Sequence, residues 1–224
     1  MPQVLFGNNF LYVGEMRGRK YYACEVEEFN ASYESVSLRS LLGEEQGFFE
    51  LAGRALQLIQ WDKNHRFCGK CGSKTTHSND ELVRCCDACE LRVYPRLSPC
   101  VIMLVHRGDR ILLAQRPGAT TSWYTVQAGF IEAGESAEQA VAREVMEEAG
   151  LGISSLQYFG SQPWPFPGQL MLGYIAESLE GELVPDLNEL QNAAWFDYRE
   201  LPEYPGPSTI SGKLIRHFVA ERGA

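Results

Sequence analysis

Between Gly129 and Leu151 the chain reads GFIEAGESAEQAVAREVMEEAGL, and these 23 residues constrain its fold more than any other stretch. Glu144, Glu147 and Glu148 stand at i, i+3 and i+4, so on a helix their carboxylates share one face. Three adjacent like charges destabilise a helix unless a cation sits among them, and Mg²⁺ or Mn²⁺ with a diphosphate suits oxygen ligands. Val141, Val145 and Ala149 form the neighbouring apolar stripe, which can anchor the helix to a sheet. Ser136 with Gln139 three residues on predicts a capping box, and Gly150 a C-terminal stop. Gly129 and Gly134 let the preceding loop fold tightly. Three glutamates alone would read as a solvated acidic face. Gly129, Glu135, Arg143 and Gly150 standing in register with them argue against that reading.

The flanks of this box supply a sheet. Cys100–Val105 and Ile111–Ala114 are apolar runs either side of His106-Arg107-Gly108-Asp109, a hairpin pattern. Further strands are expected near Leu156–Phe159, Leu170–Ala176 and Ala194–Phe196, and a last helix over Ile210–Ala220. Intermixed strands and helices point to an α/β or α+β layered domain over 95–224. Residues 1–63 suggest a small α+β domain. Its strands are expected at Val4–Phe6, Phe10–Val13 and Tyr21–Val26, with a turn at Gly7-Asn8-Asn9. An amphipathic helix is expected from Phe48 to Ile59.

Between them, 64–94 is poor in apolar residues and rich in cysteine, so something other than hydrophobic burial must hold it. The chain has seven cysteines, and the odd number argues for metal rather than a disulfide framework. Cys68-x2-Cys71 and Cys86-x2-Cys89 are two knuckles that together offer Zn²⁺ four thiolates. Cys85-x3-Cys89 is the competing register; Cys86 restores the standard spacing. His77 lies outside both knuckles and is expected to be an exposed loop residue. Four protein sulfurs leave no open position, so this zinc is expected to be structural. Cys24 and Cys100, in apolar runs, are expected to be buried thiols.

The formal net charge is −9, which disfavours binding to long nucleic-acid duplexes. No apolar run has the length of a membrane span, and no secretory signal is apparent, so a cytoplasmic location is expected.

The box fits G-x5-E-x7-R-E-U-x-E-E-x-G-U, with U aliphatic, at every specified position, and the chain therefore resembles the Nudix hydrolases. The zinc segment upstream and Ser161-Gln162-Pro163-Trp164-Pro165-Phe166-Pro167 downstream resemble, within them, the bacterial NADH pyrophosphatases, which also remove NAD caps from RNA. The resemblance covers the chain from about Ser35 onward. It implies a Nudix α/β/α sandwich with a mixed sheet, preceded by a zinc ribbon and the small N-terminal domain. It implies catalytic glutamates at 144, 147 and 148. Mg²⁺ or Mn²⁺ would be held by Glu144, Glu148, Glu189 and the Ala128 carbonyl, while Glu135 and Arg143 brace the loop and helix.

For substrate, the likeness implies NADH, NAD⁺ and NAD-capped RNA. Contacts would come from Arg39, Glu81, Tyr94, Phe130, Gln162, Pro163, Trp164, Pro165, Phe166, Pro167, Gly168, Gln169 and Ser211. Trp164, Phe166 and Phe130 offer flat faces suited to nicotinamide or adenine stacking, although the two loop aromatics read equally well as core. Arg39 and Glu81 read equally well as plain surface. The family loop carries a serine where this chain has Gln169, and the N-terminal segment is shorter than in longer relatives. The likeness further implies a homodimer. The rival readings are a broader dinucleotide or ADP-sugar pyrophosphatase, and a nucleotide-sensing protein whose ribbon contacts nucleic acid.

Overall fold

The computed structural model describes residues 10–26, 34–44, 47–78, 80–118 and 122–223. Their contacts form two compact units, Met1–Leu97 with Trp164–Gly168, and Ser98–Pro163 with Gln169–Ala224.

The first unit begins with a hairpin of β1 (Leu11–Met16) and β2 (Arg19–Ala23). The second strand starts earlier than the apolar run Tyr21–Val26 suggests. Arg17 and Gly18 both take positive φ, and this tight turn fixes the pairing Met16↔Arg19. The strand at Val4–Phe6 and the turn at Gly7-Asn8-Asn9 lie outside the described residues. A 3-10 turn covers Leu38–Leu41, and α1 covers Phe48–Asn64, burying Phe49, Gly53, Leu58 and Trp61.

The cysteine segment folds as a three-stranded sheet of β3 (Thr76–His77), β4 (Arg84–Cys85) and β5 (Arg92–Val93). Val83 and Val93 supply its small core. Polar bonds tie it to α1. Buried Arg84 donates from Nε to Asp62 Oδ1 at 2.9 Å and from Nη1 to Thr75 Oγ1 at 2.8 Å. His77 is not an exposed loop residue: it sits half-buried in β3 with Nε2 2.6 Å from Asp62 Oδ1. Burial pushes the Asp62 carboxyl up, but the hydrogen bonds from His77 and Arg84 prevail and hold it at about 2.

The second unit is built on β6 (Ser98–Arg107) and β7 (Arg110–Gln115), joined by a turn at Gly108-Asp109 shorter than the expected four-residue connection. Then come β8 (Gln127–Phe130), α2 (Ala137–Ala149), β9 (Ile153–Trp164), β10 (Gln169–Ser178), β11 (Asn192–Asp197) and α3 (Ile210–Arg222). The strand order is β11-β7-β6-β10-β9, with β8 beside β6. β10 runs parallel to β6, while β7 and β8 run antiparallel to it, so the sheet is mixed.

The continuous apolar run of β6 is explained by burial on both faces. Val101, Met103 and Val105 pack with Val141, Val145 and Ala149 of α2. Ile102 and Leu104 pack with Ile210, Leu214 and Ile215 of α3. This is the α/β/α sandwich. Cys100 is buried as expected; Cys24 is only half-buried, beyond the end of β2.

The motif 161–167 is not one extended loop. Ser161 to Trp164 finish β9, and the chain then turns, with the Phe166 N–H donating to the Trp164 carbonyl at 2.9 Å. Trp164–Gly168 lies within the span 95–224, yet packs in the first unit. Gly53 of α1 admits Pro165 there, since a Cβ on it would stand 2.7 Å from the proline Cγ.

Candidate active site and metal centre

The box folds as a loop and helix against β6. Ser136 N donates to Gln139 Oε1 at 2.8 Å, and Gln139 N to Ser136 Oγ at 3.3 Å, completing the capping box. Gly150 closes α2 with φ 69°. Arg143 holds the loop to the helix with all five of its N–H donors. Nε reaches Glu135 Oε1 at 2.8 Å; Nη1 reaches Glu144 Oε1 at 2.8 Å and Glu147 Oε2 at 2.9 Å; Nη2 reaches the Phe130 carbonyl and Glu135 Oε2, each at 2.9 Å. The guanidinium keeps the Glu135 carboxyl below the usual range.

One cleft of 560 Å³ brings together Ala128, Phe130, Glu144, Glu147, Glu148 and Glu189. Glu144 lies against Gly129, where a Cβ would stand 1.9 Å from its Cδ, so only glycine fits. Glu144 and Glu148 are 8% and 5% exposed, while the Glu147 side chain is 56% exposed. Burial pushes the Glu148 carboxyl up to about 7, against the lowering pull of a hydrogen bond from Gln127 Nε2. That bond is 2.9 Å, and among the described residues the buried Gln127 Oε1 has no hydrogen-bond partner. Buried carboxylates beside an unpaired amide oxygen form an oxygen donor set for a hard divalent cation. Gln127 carries no spacing signal; its place directly before Ala128-Gly129 is the clue to its role. The Ala128 carbonyl accepts from Arg116 Nη2 at 2.7 Å.

The sulfurs of Cys68, Cys71, Cys86 and Cys89 all lie within 4.8 Å of one another, and Cys85 stands outside the group on β4. Cys68–Cys89 and Cys71–Cys86 approach to 3.5 and 3.4 Å. A tetrahedral ion with Zn–S bonds of ~2.3 Å implies sulfur separations of about 3.8 Å, so the set fits zinc. The Ser73 N–H holds the Cys71 thiol down at about 6. At Cys89 the Leu91 N–H lowers the thiol, but burial and three adjacent sulfurs drive it up to about 12. Four such thiolates need a cation between them.

The other expected contact residues are not among those that line this cleft. Arg39 lies over the Phe166 ring at 4.0 Å and the Trp164 ring at 5.7 Å, and both rings pack on Phe49. Tyr94 Oη donates to Glu81 Oε2 at 2.9 Å. Pro163 is exposed, Pro165 is buried, and Pro167 and Gly168 complete the turn before Gln169 opens β10. Gln162 and Ser211 are buried, with their side chains already engaged. Gln162 Oε1 accepts from Ile210 N at 2.7 Å, and Ser211 Oγ is 2.8 Å from Thr125 Oγ1.

A mixed sheet between two helices, with a glutamate-lined cleft braced by one arginine, defines a Nudix hydrolase domain. The profile described as NUDIX domain matches residues 95–218, and the one described as NADH pyrophosphatase zinc ribbon domain matches 63–94. The chain is 42% identical over 216 residues to "NAD-capped RNA hydrolase NudC" of Klebsiella pneumoniae, covering 96% of this chain and 83% of that protein. It is 47% identical over 183 residues to the protein of the same name from Pectobacterium carotovorum, covering 82% and 70%. A NUDIX hydrolase structure from Nitrosomonas europaea superimposes with a TM-score of 0.60 at 22% identity, over 70% of this chain and 92% of that one, and shares the fold. The chain belongs to the Nudix hydrolase family, in the zinc-ribbon branch that holds the proteins named NAD-capped RNA hydrolase NudC. Among the described residues no helix is long and apolar enough to cross a membrane.

Proposed function

We propose that this enzyme hydrolyses the diphosphate of NADH and NAD⁺ to nicotinamide mononucleotide and AMP, and cuts NAD-capped RNA to leave a 5′-monophosphate. The observation that carries the reading is the box cleft in one chain with a ribbon of the NADH pyrophosphatase type. Glu144, Glu148, Glu189 and the Ala128 carbonyl would hold Mg²⁺ or Mn²⁺. A cation held there would neutralise diphosphate oxygens and lower the pKa of the attacking water. Arg143 fixes Glu144 and Glu147, and Gln127 orients Glu148. Exposed Phe130 offers a face to a base. Arg39, Glu81, Tyr94 and the Trp164–Gly168 turn are assigned to substrate by family likeness. Gln162, Pro163, Gln169 and Ser211 share that assignment, Gln162 and Ser211 acting from buried positions. The four cysteines would hold structural zinc. The division into 1–63, 64–94 and 95–224, a homodimer and a cytoplasmic location complete the proposal.

Incubation with NADH and Mn²⁺ should release AMP. Absence of AMP, with ADP-ribose or a nucleoside triphosphate cleaved well, would overturn the reading. The packing of Trp164 and Phe166 on Phe49 and Arg39 favours a second reading, a broader pyrophosphatase in which these rings are structural. Trp164→Ala separates the two. It should cripple NADH cleavage under the first reading and change it little under the second.

A further inference from the structure

The cleft is lined by two guanidiniums, Arg116 and Arg143, and by five carboxylates, Glu132, Glu144, Glu147, Glu148 and Glu189. Arg143 has no donor to spare, since each of its five N–H groups already meets a glutamate or the Phe130 carbonyl. Arg116 is placed differently. It is exposed just past the end of β7, and among the described residues a single hydrogen bond, to the neutral Ala128 carbonyl, holds it. No carboxylate of the described residues lies within ion-pair distance of it. A diphosphate entering this cleft meets a surplus of negative charge, and Arg116 is the lining cation with N–H groups left to offer. A planar guanidinium also matches phosphate oxygens better than any other side chain.

We propose that Arg116 is a substrate-binding residue that takes a non-bridging oxygen of the diphosphate, using the Ala128 carbonyl as its anchor. The inference rests on the cleft being a diphosphatase site and is independent of which dinucleotide is cleaved. Arg116 donates charge-assisted hydrogen bonds and moves no proton. Its anchor atom is also the carbonyl assigned to the divalent cation, so the residue bears on both ligands.

The test is binding without turnover. Methylenediphosphonate, a diphosphate mimic with an uncleavable bridge, is titrated calorimetrically in the presence of Mg²⁺ into the wild type, Arg116→Ala and Arg116→Lys. Loss of a charge-assisted bond should weaken binding about tenfold or more in Arg116→Ala, with partial recovery in Arg116→Lys. In steady state on NADH, the loss should fall on KM more than on kcat. Mn²⁺ affinity without diphosphonate, read by electron paramagnetic resonance, should be unchanged or tighter, because the Ala128 carbonyl is released. Unchanged diphosphonate affinity in Arg116→Ala would overturn the inference. So would a parallel fall in Mn²⁺ affinity, which would make the residue a support of the metal site alone, or a wild type that does not bind the diphosphonate. A wild type that binds it through Arg116 but leaves NADH intact would refute the NADH reading and uphold this one.

Discussion

Replacing Glu148 by glutamine should stabilise the protein at high pH while disabling it. The carboxyl is 5% exposed, and burial raises it from 4.5 to about 7. A carboxyl raised in the folded state favours folding fully only below its unfolded value, and that advantage is lost as pH rises through the folded value. In protein free of Mg²⁺ and Mn²⁺, with zinc retained, the penalty therefore grows between about pH 4.5 and pH 7. Its ceiling is on the order of 3 kcal/mol at pH 8, and about 1 kcal/mol remains at pH 5. Glu148→Gln removes the charge but keeps an oxygen to accept from Gln127 Nε2. At roughly 2–4 °C per kcal/mol for a chain of this size, the variant should melt about 6–12 °C above the wild type at pH 8 and a few degrees above it at pH 5. Mn²⁺ should erase the advantage by stabilising the wild type alone, and the variant should show little turnover. Differential scanning fluorimetry at both pH values, with and without Mn²⁺, reads all of this. An equal gain at pH 5 and pH 8, or no gain, would refute the claim that burial of charge dominates at this position.

Cys86→Ser should abolish zinc binding, while Cys85→Ser keeps it, because only Cys86 has its sulfur in the four-cysteine group; zinc per chain by mass spectrometry decides. Gly129→Ala places a Cβ 1.9 Å from the Glu144 carboxyl carbon and must displace that carboxylate by more than ~1 Å, with about a hundredfold loss of turnover in steady-state kinetics. Asp62 is held at about 2, so the stability it contributes is present above about pH 4 and lost between pH 4 and pH 2; the melting-temperature gap between wild type and Asp62→Asn should close over that window.

The sequence displays those features whose cause is local. The capping box of Ser136 and Gln139, the stop at Gly150 and the stripe of Val141, Val145 and Ala149 follow from spacing along one helix, and each appears in α2. The cysteine knuckles are equally local. What stayed hidden depends on partners far apart in the chain. β8 is only Gln127–Phe130, too short and too mixed in polarity to show a period, and it exists because β6 offers an edge at Cys100–Met103. Gln162 and Ser211 look like exposed polar contacts until α3 is placed, whereupon one accepts from the Ile210 N–H and the other pairs with Thr125. Arg116 carried no motif at all; it gains meaning only from Arg143 being saturated. Asp62, His77 and Arg84 come from three different elements and meet only when the ribbon folds onto α1.

The two cation sites solve one electrostatic problem in opposite ways, and the difference decides which of them can do chemistry. Both gather like charges that cannot ionise together without a positive partner: Cys89 is driven up to about 12 by burial and neighbouring sulfurs, Glu148 to about 7 by burial. At the ribbon the four sulfurs offer every ligand of a tetrahedral ion, so zinc there would leave no position for substrate, and its binding energy would go into folding. In the cleft, Glu144 is half committed to Arg143, Glu147 and Glu189 reach solvent, and 560 Å³ stays open beside them. A cation held by that sparser set would keep positions for water and phosphate oxygen. Above about pH 7 a cation held there would relieve the cost of burying the Glu148 charge. The buried charge that costs the fold is also one that would attract the metal, which is why one substitution, at Glu148, should lower both the cost and the affinity.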